Sequence, residues 1–314
     1  MATSSILKSV AIKSRAQAER FILALEKAEE AAQGGGYMEA RWPKESQVRR
    51  EGDKATIDYG YINEGYVTVW VYDDDPEKKH QIQVAANGHT QNFKGLPKNG
   101  AICVPLPFGS GRYAVRVLRY VSGITYRLVA EIVQDVKLVD EFGPWLRPTC
   151  YANYSPESQC VKVAEEVCRG IEPSIGRIRA IAEWVVGWME YDVNLAATVN
   201  DDKTKFWLPA PDEALMKKKG ICWEYSSLAA AMMRSQGIPC KIAVGHAGQA
   251  YHSWNEVYAE TGGELADGFA LEAGMWHSID LTVADGPLGR NAKGDWAGMR
   301  MFAKDNAYSV EYYG

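Results

Sequence analysis

The chain has six cysteines but no C-x-x-C pair, which disfavours a zinc ribbon or a thioredoxin-type redox motif. No apolar run is long enough to span a bilayer. There is no basic stripe. The net charge is −5 and the basic residues are scattered apart from Lys217 to Lys219, so nucleic acid is not an expected partner. The opening stretch "MATSSILKSVAIKSRAQAER" lacks the continuous apolar segment of a signal peptide, and the expected compartment is the cytoplasm. Asp73-Asp74-Asp75 and Asn200-Asp201-Asp202 lack the spacing of a calcium loop and read as solvated turns. No metal and no cofactor is expected. Internal repeats and low-complexity tracts are absent as well.

What remains is an ordinary globular composition, with 46% hydrophobic and 24% charged residues over 314 positions. That length supports one large domain or two with real cores. Residues 14–33 carry Ala18, Phe21, Ile22, Leu25, Ala28 and Ala32 at helical spacing. The glycines 34–36 end that helix, so residues 1–36 read as an appended helix and linker that packs on the body or on a partner. Residues 50–145 change character. "ATIDYGYI", "GYVTVWVY", "KHQIQVAA", "AICVPLP", "RYAVRVLRYV" and "TYRLVAEIV" are short, rich in Val, Ile, Tyr and Thr, and separated by turn residues. This spacing predicts an immunoglobulin-like β-sandwich. A Pro-rich connection over 140–158 leads into residues 150–314. There, helices over 159–170 and 174–190 come first, and strands "CKIAVGH", "HSWNEVYA" and "MWHSIDLT" follow. The expected fold class is therefore α+β.

The candidate chemistry starts at "GICWEYSSLAAAMMRSQGIP", residues 220–239. Cys222 falls on the first turn of a helix. Helix N-termini carry partial positive charge and free N–H groups. Both favour a thiolate, and the same N–H groups suit an oxyanion. Position alone does not distinguish this from a packed cysteine. The strands add the rest. If "YHSWNEVY" and "MWHSIDLT" form a hairpin centred near residue 266, His252 pairs directly with Asp280 and both point to one face. Thiol, imidazole and carboxylate are then in the order that nucleophilic catalysis uses. His246, at the end of the preceding strand, is the second choice of base. His277 falls on the opposite face from Asp280, and His80 and His89 lie in the β-rich segment.

"KKGICWEYSSLAAAMMRSQGIPCKIAVGH", "YHSWNEVY" and "SIDLT" resemble the three ordered blocks of the transglutaminase-like superfamily, which has a papain-like core. Gly220, Cys222, Tyr225, Arg234, Gly237, Ile238, Pro239, His252, Trp254, Asp280 and Thr282 fall at the motif positions. Ser253 stands where Ala is usual and Leu281 where Pro is usual, and neither change is expected to touch the chemistry. The resemblance covers about residues 155–285. It implies Cys222 as nucleophile, His252 as base, Asp280 as orienting acid, and a protein or peptide substrate. The β-rich segment resembles the sandwich preceding this core in secreted bacterial members, which carry a signal or an anchor. A secreted or cell-surface placement therefore stays open beside the cytoplasmic one.

Around these residues, Tyr191, Trp207, Trp223, Tyr225, Trp254 and His246 are the expected cleft-lining or oxyanion-side groups. Glu224 is expected to face solvent or a substrate amine, and Trp188 to pack in the core. Lys217 to Lys219 read as a solvated helix end whose charge also supports the nearby thiolate. The leading expectation is thiol-dependent acyl transfer on peptide or glutamine carboxamides, leaning to hydrolysis over amine crosslinking. A catalytically silent scaffold using the sandwich stays open as the alternative. Metal binding by Cys222, His252 and Asp280 is a third reading.

Overall fold

The computed structural model describes residues 38–73, 79–96, 100–172, 174–201, 207–266, 268–286, 294, 296–305 and 308–314. The helix expected over 14–33 lies outside them, as do Asp74, Asp75 and Asp202.

The β-rich segment builds two four-stranded sheets. The first has the order β1-β2-β3-β6, from β1 (Arg49–Glu51), β2 (Ala55–Asp58), β3 (Tyr66–Val71) and β6 (Ala101–Pro105). The second has the order β5-β4-β7-β8, from β4 (His80–Ala86), β5 (His89–Lys94), β7 (Gly111–Ser122) and β8 (Thr125–Val136). All pairings in both are antiparallel. Period-two burial explains them. On β7, Tyr113, Val115 and Val117 are fully buried. Between them Arg116 points outward and pairs with Glu131 of β8 at 2.6 Å. On β3, Val67, Val69 and Val71 face the same apolar cluster.

β5 has no counterpart in the expected strand list. It is a sheet edge with only Gln91 and Phe93 buried, so its sequence "HTQNFK" carries little apolar signal. β4 reaches it through Asn87-Gly88, both at positive φ (53 and 79), the two-residue hairpin turn that Asn-Gly favours.

The stretch after β8 is no exposed tether. Residues 143–152 are all buried. Arg147 holds this stretch by donating to the carbonyls of Glu64 and Gly143, both at 2.7 Å. The rest of the chain is helical first, with α1 (Gln159–Val167), α2 (Ser174–Trp188), β9 (Glu190–Tyr191), α3 (Val193–Asp201), α4 (Pro211–Lys217), β10 (Lys219–Gly220) and α5 (Cys222–Ser235). Then come β11 (Cys240–Ala247), β12 (Ala250–Ala259), a small hairpin of β13 (Gly263–Ala266) and β14 (Phe269–Leu271), β15 (Met275–Ile279), α6 (Leu281–Ala284), α7 (Trp296–Asp305) and β16 (Tyr308–Tyr313). The main sheet has the order β15-β12-β11-β16. The architecture is α+β, as expected.

α5 is the central element. From Tyr225 to Arg234 every residue is buried, because α1, α2, α4 and β12 all pack around it. Ala229, Ala230 and Ala231 permit that close approach. Its C-terminus follows from "SQGIP". Gly237 takes φ +73, its N–H bonds Arg234 O at 3.1 Å, and the Ile238 N–H bonds Met233 O at 3.0 Å. This is a Schellman stop, and Pro239 cannot continue the helix. A Cβ at Gly237 would lie 1.6 Å from Met38 O. The turn therefore delivers the chain straight into β11 beside the helix it has just left.

Candidate active site

α5 and β12 together bring the candidate residues into one cleft. Its volume is about 170 Å³, and its walls include Tyr191, Trp207, Trp223, Tyr251, Ser253 and Tyr312 around Cys222 and His252. Cys222 is partly exposed at its floor. The N-terminus of α5 is capped by a neighbour in sequence, since Glu224 Oε2 accepts the Ile221 N–H at 3.0 Å. The other oxygen of Glu224 accepts from Trp207 Nε1 at 2.7 Å, and Trp223 Nε1 donates to Trp207 O at 3.1 Å. Glu224 thus faces neither solvent nor an amine acceptor. It ties the aromatic wall to the helix, and its burial raises its pKa. Cys222 and Trp223 form the first turn of α5 and both border the cleft, and the N–H groups of a first helical turn have no carbonyl four residues back within the helix.

This arrangement explains Gly220. A Cβ there would lie 2.5 Å from Glu224 Cβ and 2.9 Å from its Cγ. We predict that Gly220→Ala displaces the Glu224 cap. The expected cost is about 1–2 kcal/mol in a denaturant titration, the range for loss of a helix cap, together with slower alkylation of Cys222. An unchanged unfolding midpoint would argue against this account of the glycine.

The His252–Asp280 pair forms, but not in the expected register. β12 and β15 pair Asn255 with Ile279 and Val257 with His277, two residues away from a register that opposes His252 to Asp280. β15 ends at Ile279, and Asp280 is the N-cap of α6. A shift of two keeps both side chains on one face. His252 therefore meets Asp280 diagonally, with Nε2 2.7 Å from Oδ2. The loop between the strands hides the shift by folding into β13 and β14.

Asp280 is almost fully buried, and its carboxylate is saturated with donors. Oδ1 accepts the Val283 N–H at 3.1 Å. Oδ2 accepts from both His252 and Tyr308, the latter at 2.7 Å. Burial pushes its pKa up, but the His252 charge and these hydrogen bonds outweigh that and hold it below 3.8. With Asp280 ionised, Nε2 of His252 carries a proton and donates it, leaving Nδ1 for the thiol. Burial disfavours the imidazolium, yet Asp280 and Cys222 raise the His252 pKa well above 6.5. Burial likewise raises the Cys222 pKa, but the His252 charge and hydrogen bonds from His252 and Ser253 bring it below 9.0. Each group thus favours the charged form of the other.

Of the other expected lining residues, Tyr191, Trp207 and Trp223 border the cleft. Burial pushes the Tyr191 hydroxyl up to about 12, with Cys222 adding to the shift. Tyr225, Trp254 and His246 do not border it. Tyr225 is buried on α5 and donates to Asp285 Oδ2 at 2.7 Å. Trp254 is buried and stacks on the His252 ring, with centroids 6.3 Å apart and planes at 20°. It shields the imidazole from behind. His246 points to the edge of the sheet, where it pairs with Glu311 at 3.3 Å. Nor is Trp188 a core residue. It is 37% exposed, and its Nε1 donates to Leu215 O at 2.9 Å.

Two residues that sequence reasoning passed over sit at the centre. Tyr308 has no local motif and reaches Asp280 only because β16 pairs with β11. Ser253 was expected to be neutral, yet it borders the cleft beside Cys222, its Oγ lies 3.1 Å from Ser226 Oγ, and it helps to lower the Cys222 pKa. The departure from the family pattern at 253 was the available signal. Among the described residues, no group of three or more His, Cys, Asp or Glu is placed to hold a metal, and no helix is long and apolar enough to cross a membrane.

Residues 161–280 match the Transglutaminase-like superfamily. The Kyphoscoliosis peptidase of Mus musculus is 27% identical over 137 residues, or 40% of this chain, and the chain spans 18% of that protein's length. A proposed cysteine protease of Cytophaga hutchinsonii is 16% identical, with a TM-score of 0.35, over 75% of this chain and 74% of that one. A proposed protease of Parabacteroides distasonis is 13% identical, with a TM-score of 0.27, over 79% and 47%. The stretch matched runs from α1 to the Asp280 cap and holds Cys222, His252 and Asp280, so the similarity to the transglutaminase-like superfamily covers the candidate site and about two fifths of the chain.

Proposed function

We propose that the protein is a thiol-dependent acyl-transfer enzyme acting on peptide bonds or glutamine carboxamides, with water as the acceptor. The observation that carries this is the contrast among the cysteines. Burial raises the pKa of Cys103 and Cys240 to about 12 and of Cys168 to about 11, and raises Cys150 and Cys160 as well. Cys222 alone is lowered, and it lies against His252.

In this reading the Cys222 thiolate attacks the carbonyl carbon. The oxyanion is met by the N–H groups at the start of α5. His252 gives its proton to the leaving amine or ammonia as the C–N bond breaks, and a thioester remains on Cys222. Water then attacks, His252 takes its proton, and the thiolate departs as the C–S bond breaks, releasing a carboxylic acid. Water as acceptor is favoured by the mouse relative, which is named a peptidase. Residues 150–314 would form the catalytic domain and residues 50–145 an accessory sandwich.

The test is iodoacetamide labelling across pH with mapping of the modified cysteines. Cys222 should react first, with a midpoint well below that of a free thiol. Equal labelling of all accessible cysteines would sink the proposal. A glutamine peptide supplied with a labelled amine should release ammonia with little amine incorporation.

A further inference from the structure

Tyr308 closes a circuit around the His252–Asp280 pair. Its hydroxyl donates to Asp280 Oδ2 at 2.7 Å, the same oxygen that His252 Nε2 meets at 2.7 Å. Its ring stands edge-on to Trp254, with centroids 4.5 Å apart and planes at 60°. Trp254 in turn stacks on the His252 ring. Asp280, His252, Trp254 and Tyr308 therefore form a closed loop of contacts, hydrogen-bonded on one side and aromatic on the other. Tyr308 is not among the residues that border the cleft, so whatever it does for the chemistry it does through this loop.

The hydrogen-bonded side is uneven. Oδ1 accepts from the Val283 N–H at 3.1 Å, whereas Oδ2 has two donors to serve. The Tyr308 O–H points the positive end of its dipole at the oxygen that holds the His252 proton. It draws on the same charge and leaves Oδ2 a weaker acceptor for the imidazole. Tyr308 does not lose this role by ionising. Burial and the neighbouring Asp280 push its pKa well up, so it remains a donor. The contact with Trp254 holds the ring, and hence the hydroxyl, in place.

We propose that Tyr308 is a positioning residue of this site, which shares Asp280 Oδ2 with His252 and so limits how tightly the carboxylate grips the His252 proton. The inference rests on the acyl-transfer reading and deepens it. In that reaction His252 must both give a proton to the leaving group and take one from water. A carboxylate that faced His252 alone would hold the imidazolium longer and slow both steps. Tyr308 itself makes and breaks no covalent bond.

The titratable groups around the pair are Cys222 on α5, which favours the charged form of His252, and Tyr191 on β9, which feels the Asp280 charge. From α7, Met299 Sδ accepts the Asp280 N–H at 3.3 Å and carries no charge. All of these stay as they are in the two Tyr308 variants.

The measurement is the pH midpoint of His252 in the full chain, read by NMR of isotope-labelled histidine. The chain has five histidines, and the His252 signal is the one that His252→Ala removes. Tyr308→Phe keeps the ring against Trp254 and removes only the O–H. It should raise the His252 midpoint by about one unit, a tenfold tighter hold on the proton. With a peptide substrate, kcat on the acid side should fall by about threefold to tenfold, with KM unchanged. Fluorotyrosine in place of Tyr308 is a more acidic donor of nearly the same volume, and it should move the midpoint the opposite way. In an Asp280→Asn chain, Tyr308→Phe should no longer move it. A merely structural role would shift both Tyr308 variants in one direction or shift neither, and either result would overturn the proposal. Opposite shifts in a chain that hydrolyses no peptide would keep the coupling and sink only the acyl-transfer reading. Peptide hydrolysis with an unmoved midpoint would do the reverse.

Discussion

Replacing His252 with alanine should slow acylation of a peptide substrate by about 10³–10⁴-fold near neutral pH, the range for a lost general acid–base. Two effects combine. The thiolate loses the charge that most lowers its pKa, and only burial and the Ser253 contacts remain. The leaving amine loses its proton donor. Alkylation reads the first effect alone, so it should fall by less than turnover does. Its midpoint should rise towards that of the other buried thiols. Asp280→Asn separates electrostatics from structure. Asn can still cap α6 by accepting the Val283 N–H, but its amide carries no charge. His252 should then titrate lower and turnover should fall by about 10²-fold. Equal losses in alkylation and turnover for His252→Ala would show that His252 acts only on the thiolate.

The same pair sets a pH window. Asp280 is held below 3.8, so its contribution to stability is present above that value and is lost as pH falls through its folded pKa. His252 is held above 6.5, so its contribution is complete below 6.5 and is lost as pH rises through its folded pKa. The pair therefore stabilises the fold most between about 3.8 and 6.5.

What could be read from the sequence depended on whether the information was local. The Cys222 helix, its glycine stop and the strands of the β-rich segment follow from periodicity and turn chemistry over short spans. The His252–Asp280 contact was legible for a weaker reason. Parity survives an even register shift, so the right partners emerged from a register two residues off. Elements fixed by tertiary packing were not legible. β5 is polar because it is an edge, and β16 matters because it lies beside β11. Hence Tyr308, which holds Asp280 from that strand, could not be found. Ser253 was visible but discounted, because a hydroxyl in place of a methyl is silent until its neighbours are known. His246 failed as a lining residue because β11 carries it past the cleft to the sheet edge, where Glu311 waits.

Arg234→Met should destabilise the protein by on the order of 4 kcal/mol, a loss large enough to mark a broken buried network. Arg234 is fully buried. Its guanidinium donates to Cys240 O at 2.7 Å, to Arg147 O and Thr149 Oγ1 at 3.1 Å, and to Gly314 O at 2.7 Å. One side chain thus joins the end of α5 to the start of β11, to the buried stretch after β8 and to the strand that carries Tyr308. Methionine fills the volume but donates nothing, and each orphaned buried acceptor costs about 1–3 kcal/mol. Arg234→Lys keeps the charge but cannot fork across four acceptors, so about half the loss should remain. A urea titration reads both. The chemistry should not follow the stability. Arg234 lies twelve residues along α5 from Cys222, about 18 Å at the helical rise. Below the unfolding transition, the alkylation midpoint of Cys222 should therefore match that of the native chain. A midpoint that shifts with Arg234→Met would mean that this network also sets the position of the nucleophile. A loss below about 1 kcal/mol would mean that water or backbone movement replaces the guanidinium.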